Sequence, residues 1–331
     1  MRIPRIKIDP SSSPAIYHCM SRTVNSEHLL DDTAKEIFRK QLWQIADYCG
    51  VEILTYAIMS NHFHVLVRVP LKTGIPDAEL LRRFHVLYPK PTAYQNADYE
   101  TIADLLKKNT SAADAWRHQQ LALMGDVSQL MKLLKQRFAI WFNRTHERHG
   151  PFWSERFKSV LVEGRGHVMA TMAAYIDLNP VRAGIVEDPK DYRFCGYAEA
   201  VAGRKAAQTG ITAIVADPHN RLWRTVGKTY RLHLFGAGAT PRHDKASISP
   251  DALAKVLRKN GTLPLASVLL HRVRYFTDGA VLGTNAFVAK HLTAYKQLTG
   301  LRKRTPLRPL PKITDWGDLV TLRGLGKNAL G

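Results

Sequence analysis

Two histidines one residue apart, His62 and His64, lie inside the apolar stretch ILTYAIMSNHFHVLVRVP at residues 53–70. Read as a strand, this stretch puts His62, His64 and Leu66 on one face and Phe63, Val65, Val67 and Val69 on the other. The second face is apolar enough to pack on helices, so the imidazoles point together at a common place away from it. A histidine in a strand ordinarily serves as a hydrogen-bonded core or surface residue. Two neutral imidazoles at this spacing can also grip one divalent ion. Further along, HVMATMAAYIDLNPVRAG sets Tyr175 and Asn179 four residues apart, one turn from each other on a helical face. Pro180 disfavours helix at the residue before it, which puts Asn179 at the helix end. Tyrosine packs well and Asn-Pro is a common stop, so this second pair is uninformative by itself.

The elements that must position these residues follow from periodicity and punctuation. IYHCMSR reads as a first strand. A helix from Asp32 or Thr33 to Cys49 stops at Gly50. Strands over 51–59 and 62–69 are joined by Ser60 and Asn61, and Pro70 closes the second. Residues 71–125 hold scattered prolines and polar runs around a helix through TIADLLKK, and read as an insertion. In DVSQLMKLLKQRFAIWFNR the apolar residues Leu130, Leu133, Leu134, Phe138 and Trp141 recur at helical spacing, with Asp126 and Gln129 as a start signal. A fourth strand fits FWSERFKSVLVE, and a helix spans about 167–178. Strand, helix, strand, strand, helix, strand, then an added helix is the order of a ferredoxin-like split βαβ unit. The expected class is α+β, with first and third strands as central neighbours. The histidines then lie mid-sheet, on the face away from the two framework helices.

The 331 residues leave room for two domains or three. Apolar and charged fractions of 45% and 23% are those of an ordinary globular protein. Lys and Arg number 48 against 28 acidic residues, a net charge of +20, which suggests a polyanionic partner, nucleic acid first. No run reaches the length of a spanning helix and the basic N-terminus lacks a signal-peptide apolar block, so no membrane partner is expected. Cys19, Cys49 and Cys195 form neither a disulfide framework nor a zinc pattern, which fits a cytoplasmic location.

Taken together, YHCMSR, AIMSNHFHVLV, GPFWSERFKS and AAYIDLNPVRAGIV resemble the single-tyrosine HUH transposases, especially the REP-associated tyrosine transposases. The blocks occur in family order over residues 14–200, with a longer insertion than usual between the second and third. The resemblance implies a metal-dependent enzyme that nicks and rejoins single-stranded, hairpin-containing DNA through a covalent 5′-phosphotyrosine. It implies that His62 and His64 bind the ion, that Tyr175 is the catalytic nucleophile, and that Asn179 completes the metal site where other branches have Gln. Relatives include dimers that share active sites in trans, which makes a homodimer part of the same expectation.

The residues themselves suit that chemistry. A phenol with a pKa of about 10 is a poor nucleophile at neutral pH unless assisted. Two imidazoles and an amide oxygen leave a divalent ion open positions for phosphate oxygens, and this mixed set suits Mg²⁺ or Mn²⁺. Arg22, Arg156, Lys158 and Arg182 are candidates to hold a DNA backbone, although the ordinary use of any single one is as a solvated surface charge. Trp153 and Phe157 could stack on bases or pack in the core.

Beyond residue 205 the resemblance fades. The expected organisation is a nuclease domain over 1–205, a linker over 206–244, a mainly helical module over 245–304 and an extended tail over 305–331. Three short helices with basic ends are compatible with a helix-turn-helix DNA reader or a generic bundle. The rival functions are a catalytically silent DNA-binding regulator derived from such an enzyme, and a metal-dependent hydrolase using water, in which Tyr175 has no role.

Overall fold

A computed structural model describes residues 5–91, 98–215, 222–238, 279–299, 308–309 and 319–323. Strand β1 (Ala15–Arg22) leads to α1 (Asp32–Cys49), β2 (Glu52–Ile58) and β3 (His62–Val69). Helices α2 (Asp77–Leu87), α3 (Tyr99–Lys107) and α4 (Ser111–Leu121) follow, then α5 (Val127–Thr145) and β4 (Lys158–Val162). The second half holds α6 (Gly166–Asp177), α7 (Asn179–Arg182), α8 (Gly196–Val201), α9 (Lys205–Val215) and α10 (Trp223–Gly238). Strand β5 (Gly279–Thr284), α11 (Asn285–Thr299), β6 (Arg308–Pro309) and β7 (Leu319–Arg323) complete the described elements.

The sheet runs β2-β3-β1-β4-β5-β7-β6. Its first four strands are antiparallel and have the expected ferredoxin-like order, with β1 and β3 at the centre. The two framework helices form where the sequence punctuates them. Asp31 accepts from the amide of Ala34 at the start of α1, and Gly50 ends it at φ 62°, a left-handed conformation that costs glycine little. Asp126 accepts from the amides of Ser128 and Gln129 at the start of α5. Both helices pack on the face that carries Phe63, whose ring lies 4.7 Å from that of Phe38, itself 5.0 Å from Phe138. Helices α6, α8 and α9 cover the opposite face and the β2 side of the sheet. Gly210 in α9 makes this approach close: a Cβ there would sit 2.5 Å from the carbonyl oxygens of Ile53 and Leu54.

Three expectations are corrected. The fourth strand begins only at Lys158, because residues 152–157 turn away to bond the end of β1, with Ser154 donating to the Arg22 carbonyl and Val24 to that of Phe152. Of the stretch expected to be a linker, the described part is helical: α9 and α10 bury Ile211, Ile214, Val226, Tyr230 and Leu234. Within the segment expected to be helical, Gly279–Thr284 is a strand that pairs in parallel with β4, followed by α11. The first two of the three short helices expected there, through ISPDALAKVLRKNG and LPLASVLLHRVRYF, lie outside the described residues. Within 305–331 the described residues are strands, with β7 paired to β5 and β6. The expected insertion 71–125 carries α2–α4: α2 packs on α1, and the three helices enclose a small core of Leu81, Phe84, Ile102, Leu106 and Ala113.

Candidate active site

The central pairing β1–β3 sets the chemistry. Arg22 lies opposite His62, Met20 opposite His64 and His18 opposite Leu66, so all of these side chains share the face covered by α6. His64 is buried, His62 half-buried, and their ring centroids are 5.2 Å apart with planes at 89°. Helix α6 brings Tyr175 over them, its ring 5.6 Å from that of His64 and 6.0 Å from that of His18. Only 1% of Tyr175 is exposed.

Each histidine of the pair has its Nδ1 engaged. His62 Nδ1 is 2.6 Å from Oδ1 of Asn61, whose own amide group donates to the Ser26 carbonyl and so holds that oxygen toward the ring. An amide oxygen only accepts, so His62 carries its proton on Nδ1 and keeps a lone pair on Nε2. His64 Nδ1 is 2.9 Å from Nε2 of His18. Burial, with Arg22 and His28 nearby, pushes His62 down to about 4. Burial also holds His64 well below its ordinary value, reinforced by His18, His62 and the two arginines Arg22 and Arg182. Both imidazoles are therefore neutral at neutral pH, the form in which imidazole binds metal.

The end of α6 is fastened from two sides. The Asn179 amide group donates to the carbonyls of Tyr175 (2.9 Å) and Ile176 (3.2 Å), leaving its Oδ1 as the acceptor. Arg182 also donates to the Tyr175 carbonyl at 2.8 Å, and its guanidinium lies 5.0 Å from the Tyr175 ring. On the far side Asp177 is fully buried and accepts from Tyr230 Oη (2.6 Å), Thr55 Oγ1 (2.8 Å) and the Tyr197 amide (3.2 Å). Burial pushes its carboxyl up to about 7 against those three donors.

The candidate backbone-binding residues divide. Arg22 and Lys158 are exposed on the histidine side of the sheet, Lys158 paired with Glu155 at 3.1 Å. Arg182 is half-buried in the packing just described. Arg156 is elsewhere, lining a cavity of about 600 Å³ between α5 and residues 150–157, together with Arg5, Lys132 and Lys135. Trp153 and Phe157 are packing residues: the indole lies 5.4 Å from Phe63 and donates to the Lys135 carbonyl, and Arg5 covers Phe157 at 3.6 Å.

Among the described residues no group of three or more His, Cys, Asp or Glu side chains surrounds one point. Of the expected ligands, His62 and His64 are brought together on β3, a neutral imidazole pair of the kind that suits a divalent cation, while the Asn179 amide group is held against the Tyr175 and Ile176 carbonyls at the end of α6. Sequence reasoning missed His18 and Asp177. His18 was quoted in YHCMSR, but its partner lies 46 residues away, so only the sheet register could have paired them.

These features define an α+β domain of ferredoxin-like order in which a neutral histidine pair on a central strand meets a tyrosine on the helix covering it. Residues 11–79, which carry β1, α1, β2 and β3, match the family model described as "Transposase IS200 like". A solved structure of a REP-associated tyrosine transposase bound to a REP hairpin is similar at 15% identity, covering 61% of this chain and 86% of that one with a TM-score of 0.35. No curated protein matches. The fold assignment stands on the strand order and not on that structural likeness.

Proposed function

We propose that the domain nicks and rejoins single-stranded, hairpin-containing DNA, with Tyr175 as nucleophile and His62, His64 and Asn179 holding Mg²⁺ or Mn²⁺. The observation that carries this reading is the meeting of Tyr175 with the histidine pair, from elements more than a hundred residues apart, on one covered face. A bound divalent ion would polarise the scissile phosphate and offset its developing charge. The chain's own residues do the rest. The Tyr175 oxygen attacks phosphorus, the bond to the 3′ oxygen breaks, the phenolic proton leaves to solvent, and the departing oxygen takes one up as a 3′-OH. The phosphoester is conserved as a 5′-phosphotyrosine, so a DNA 3′-OH can reverse the linkage at a new junction. Arg22 and Lys158, exposed on the same side, supply positive charge for the incoming backbone.

The burial of Tyr175 requires that α6, or what covers it, move before attack. It also supports the second reading, a silent DNA-binding regulator in which the tyrosine is only a packing residue. Incubation with hairpin-bearing single-stranded DNA and Mn²⁺ separates the two. The nuclease gives a covalent protein–DNA adduct that Tyr175→Phe abolishes while folding and DNA binding survive. Binding without an adduct at any time supports the regulator, and DNA hydrolysis without an adduct supports a water-based hydrolase.

A further inference from the structure

We propose that His18 is a positioning residue: it accepts the proton of His64 Nδ1 and so fixes the tautomer that leaves the His64 Nε2 lone pair free. The inference rests on the reading of His62 and His64 as metal ligands.

The two rings lie edge to edge. Their nearest nitrogens are 2.9 Å apart, their centroids 5.0 Å, and their planes differ by 25°. In that arrangement a lone pair in the plane of one ring points along the N–H of the other, the geometry of a hydrogen bond and not of a face-to-face stack. His18 is fully buried and His64 is 4% exposed, so water does not compete for this contact. Neutral imidazole carries one proton, and the contact can be made in only two ways. If His18 Nε2 donates, His64 must hold its own proton on Nε2 and has no lone pair to offer there. If His18 accepts, His64 is protonated on Nδ1 and its Nε2 is a ligand.

His62 shows which arrangement the site needs. Asn61 already commits His62 to a proton on Nδ1 and a lone pair on Nε2. A shared ion requires His64 to match it, and His18 is the group in contact with the nitrogen that decides. Each member of the pair thus has its own partner, an amide for His62 and an imidazole for His64. The amide can only accept through its oxygen. The imidazole can do either, and its role here is to accept. Partners of this kind raise ligand basicity and hold ring orientation, and losing one typically costs about 10- to 100-fold in metal affinity.

The test uses the full chain with three variants. Mn²⁺ affinity is measured by calorimetric titration, and the His64 tautomer is read from ¹⁵N chemical shifts of the metal-free protein. His18→Leu fills the space without an acceptor and should weaken Mn²⁺ about 10- to 100-fold, with the His64 proton no longer confined to Nδ1. His18→Gln places an amide oxygen where Nε2 stood and should recover most of that affinity. Asn61→Leu, acting on His62, should weaken Mn²⁺ comparably while leaving the His64 tautomer unchanged. Equal affinity in wild type and His18→Leu overturns the inference, as does a wild-type His64 proton on Nε2. If His18→Leu fails to fold, the wild-type tautomer and the Gln variant decide alone. If wild type binds no Mn²⁺, the metal reading of the function fails. The tautomer then still decides the role of His18: a proton on Nδ1 that shifts in the Leu variant upholds it, and one indifferent to residue 18 refutes it.

Discussion

Glu199→Ala tests how the two layers on either side of β2 are held together. Glu199 sits on α8, yet its carboxylate reaches both β2 and the opposite layer: it accepts from Tyr56 Oη of β2 at 2.8 Å, pairs with Arg39 of α1 and accepts from Trp43 Nε1 of α1 at 2.9 Å. Arg204 adds a fourth contact at 3.1 Å. Removing the carboxylate orphans the hydroxyl of Tyr56, whose side chain is fully buried, at about 1–3 kcal/mol. The half-buried Trp43 amine adds about 1 kcal/mol. Breaking a buried ion pair can cost about 3–5 kcal/mol, but Arg39 keeps Glu36 at 2.6 Å, which spares most of that. The expected loss is about 3 kcal/mol, and about half of that for Glu199→Gln, which retains one acceptor oxygen. Urea unfolding of both variants measures it. The same change should be felt in α6, because the Tyr197 amide of α8 holds Asp177. Amide exchange at residues 175–178 should therefore accelerate more than exchange in β1. A loss below about 1 kcal/mol for the Ala variant, or unaltered exchange at the α6 end, refutes the argument that Glu199 couples the layers.

Two further outcomes are expected. Burial, with Arg5 repelling it, pushes Lys135 down to about 8 from the usual 10.5. Between those values the folded chain binds fewer protons than the unfolded one, so this group's contribution to stability rises with pH through that window. Lys135→Met removes the rise, so wild type should gain in Tm relative to the variant between pH 8 and 10; a constant difference refutes the assignment. Deleting residues 279–331 strips β5 from β4 and removes the Thr284 amide that donates to the buried carboxylate of Glu163 at 2.6 Å. The Tm should fall by several degrees, and an unchanged Tm would show that the C-terminal strands do not brace the sheet.

What the sequence disclosed was local. Gly50 and Asp126 act within a few residues of themselves, and they marked the helix ends they occupy. The alternation that put His62 and His64 on one face needed only the period of a strand. Tyr175 above them was reached through four ordered motifs, not through helical spacing, which pairs Tyr175 with Asn179 and says nothing of β3. The misses are non-local. His18 acquires its meaning from β3, Asp177 from β2, α8 and α10, and Glu199 from α1. The strand GAVLGT is short and bounded by glycines, and it is a strand because β4 offers it a partner. Helices α9 and α10 bury their faces against β2 and α6, far off in sequence, and those contacts are what make them part of the domain.

The seating of Gly210 against the carbonyls of Ile53 and Leu54 bears on how copies of this chain could associate. The outer ladder of β2 is further occupied by the backbone of the α8 approach, with Ile58 donating to the Phe194 carbonyl at 3.0 Å. Recruitment of a foreign strand needs a row of open amides and carbonyls, and this margin has been closed from within the same molecule. Two copies meeting at this end of the sheet must do so through side chains presented by helices. Such a contact can be tuned or abolished by single surface substitutions, which leave the backbone pairing of the central strands untouched.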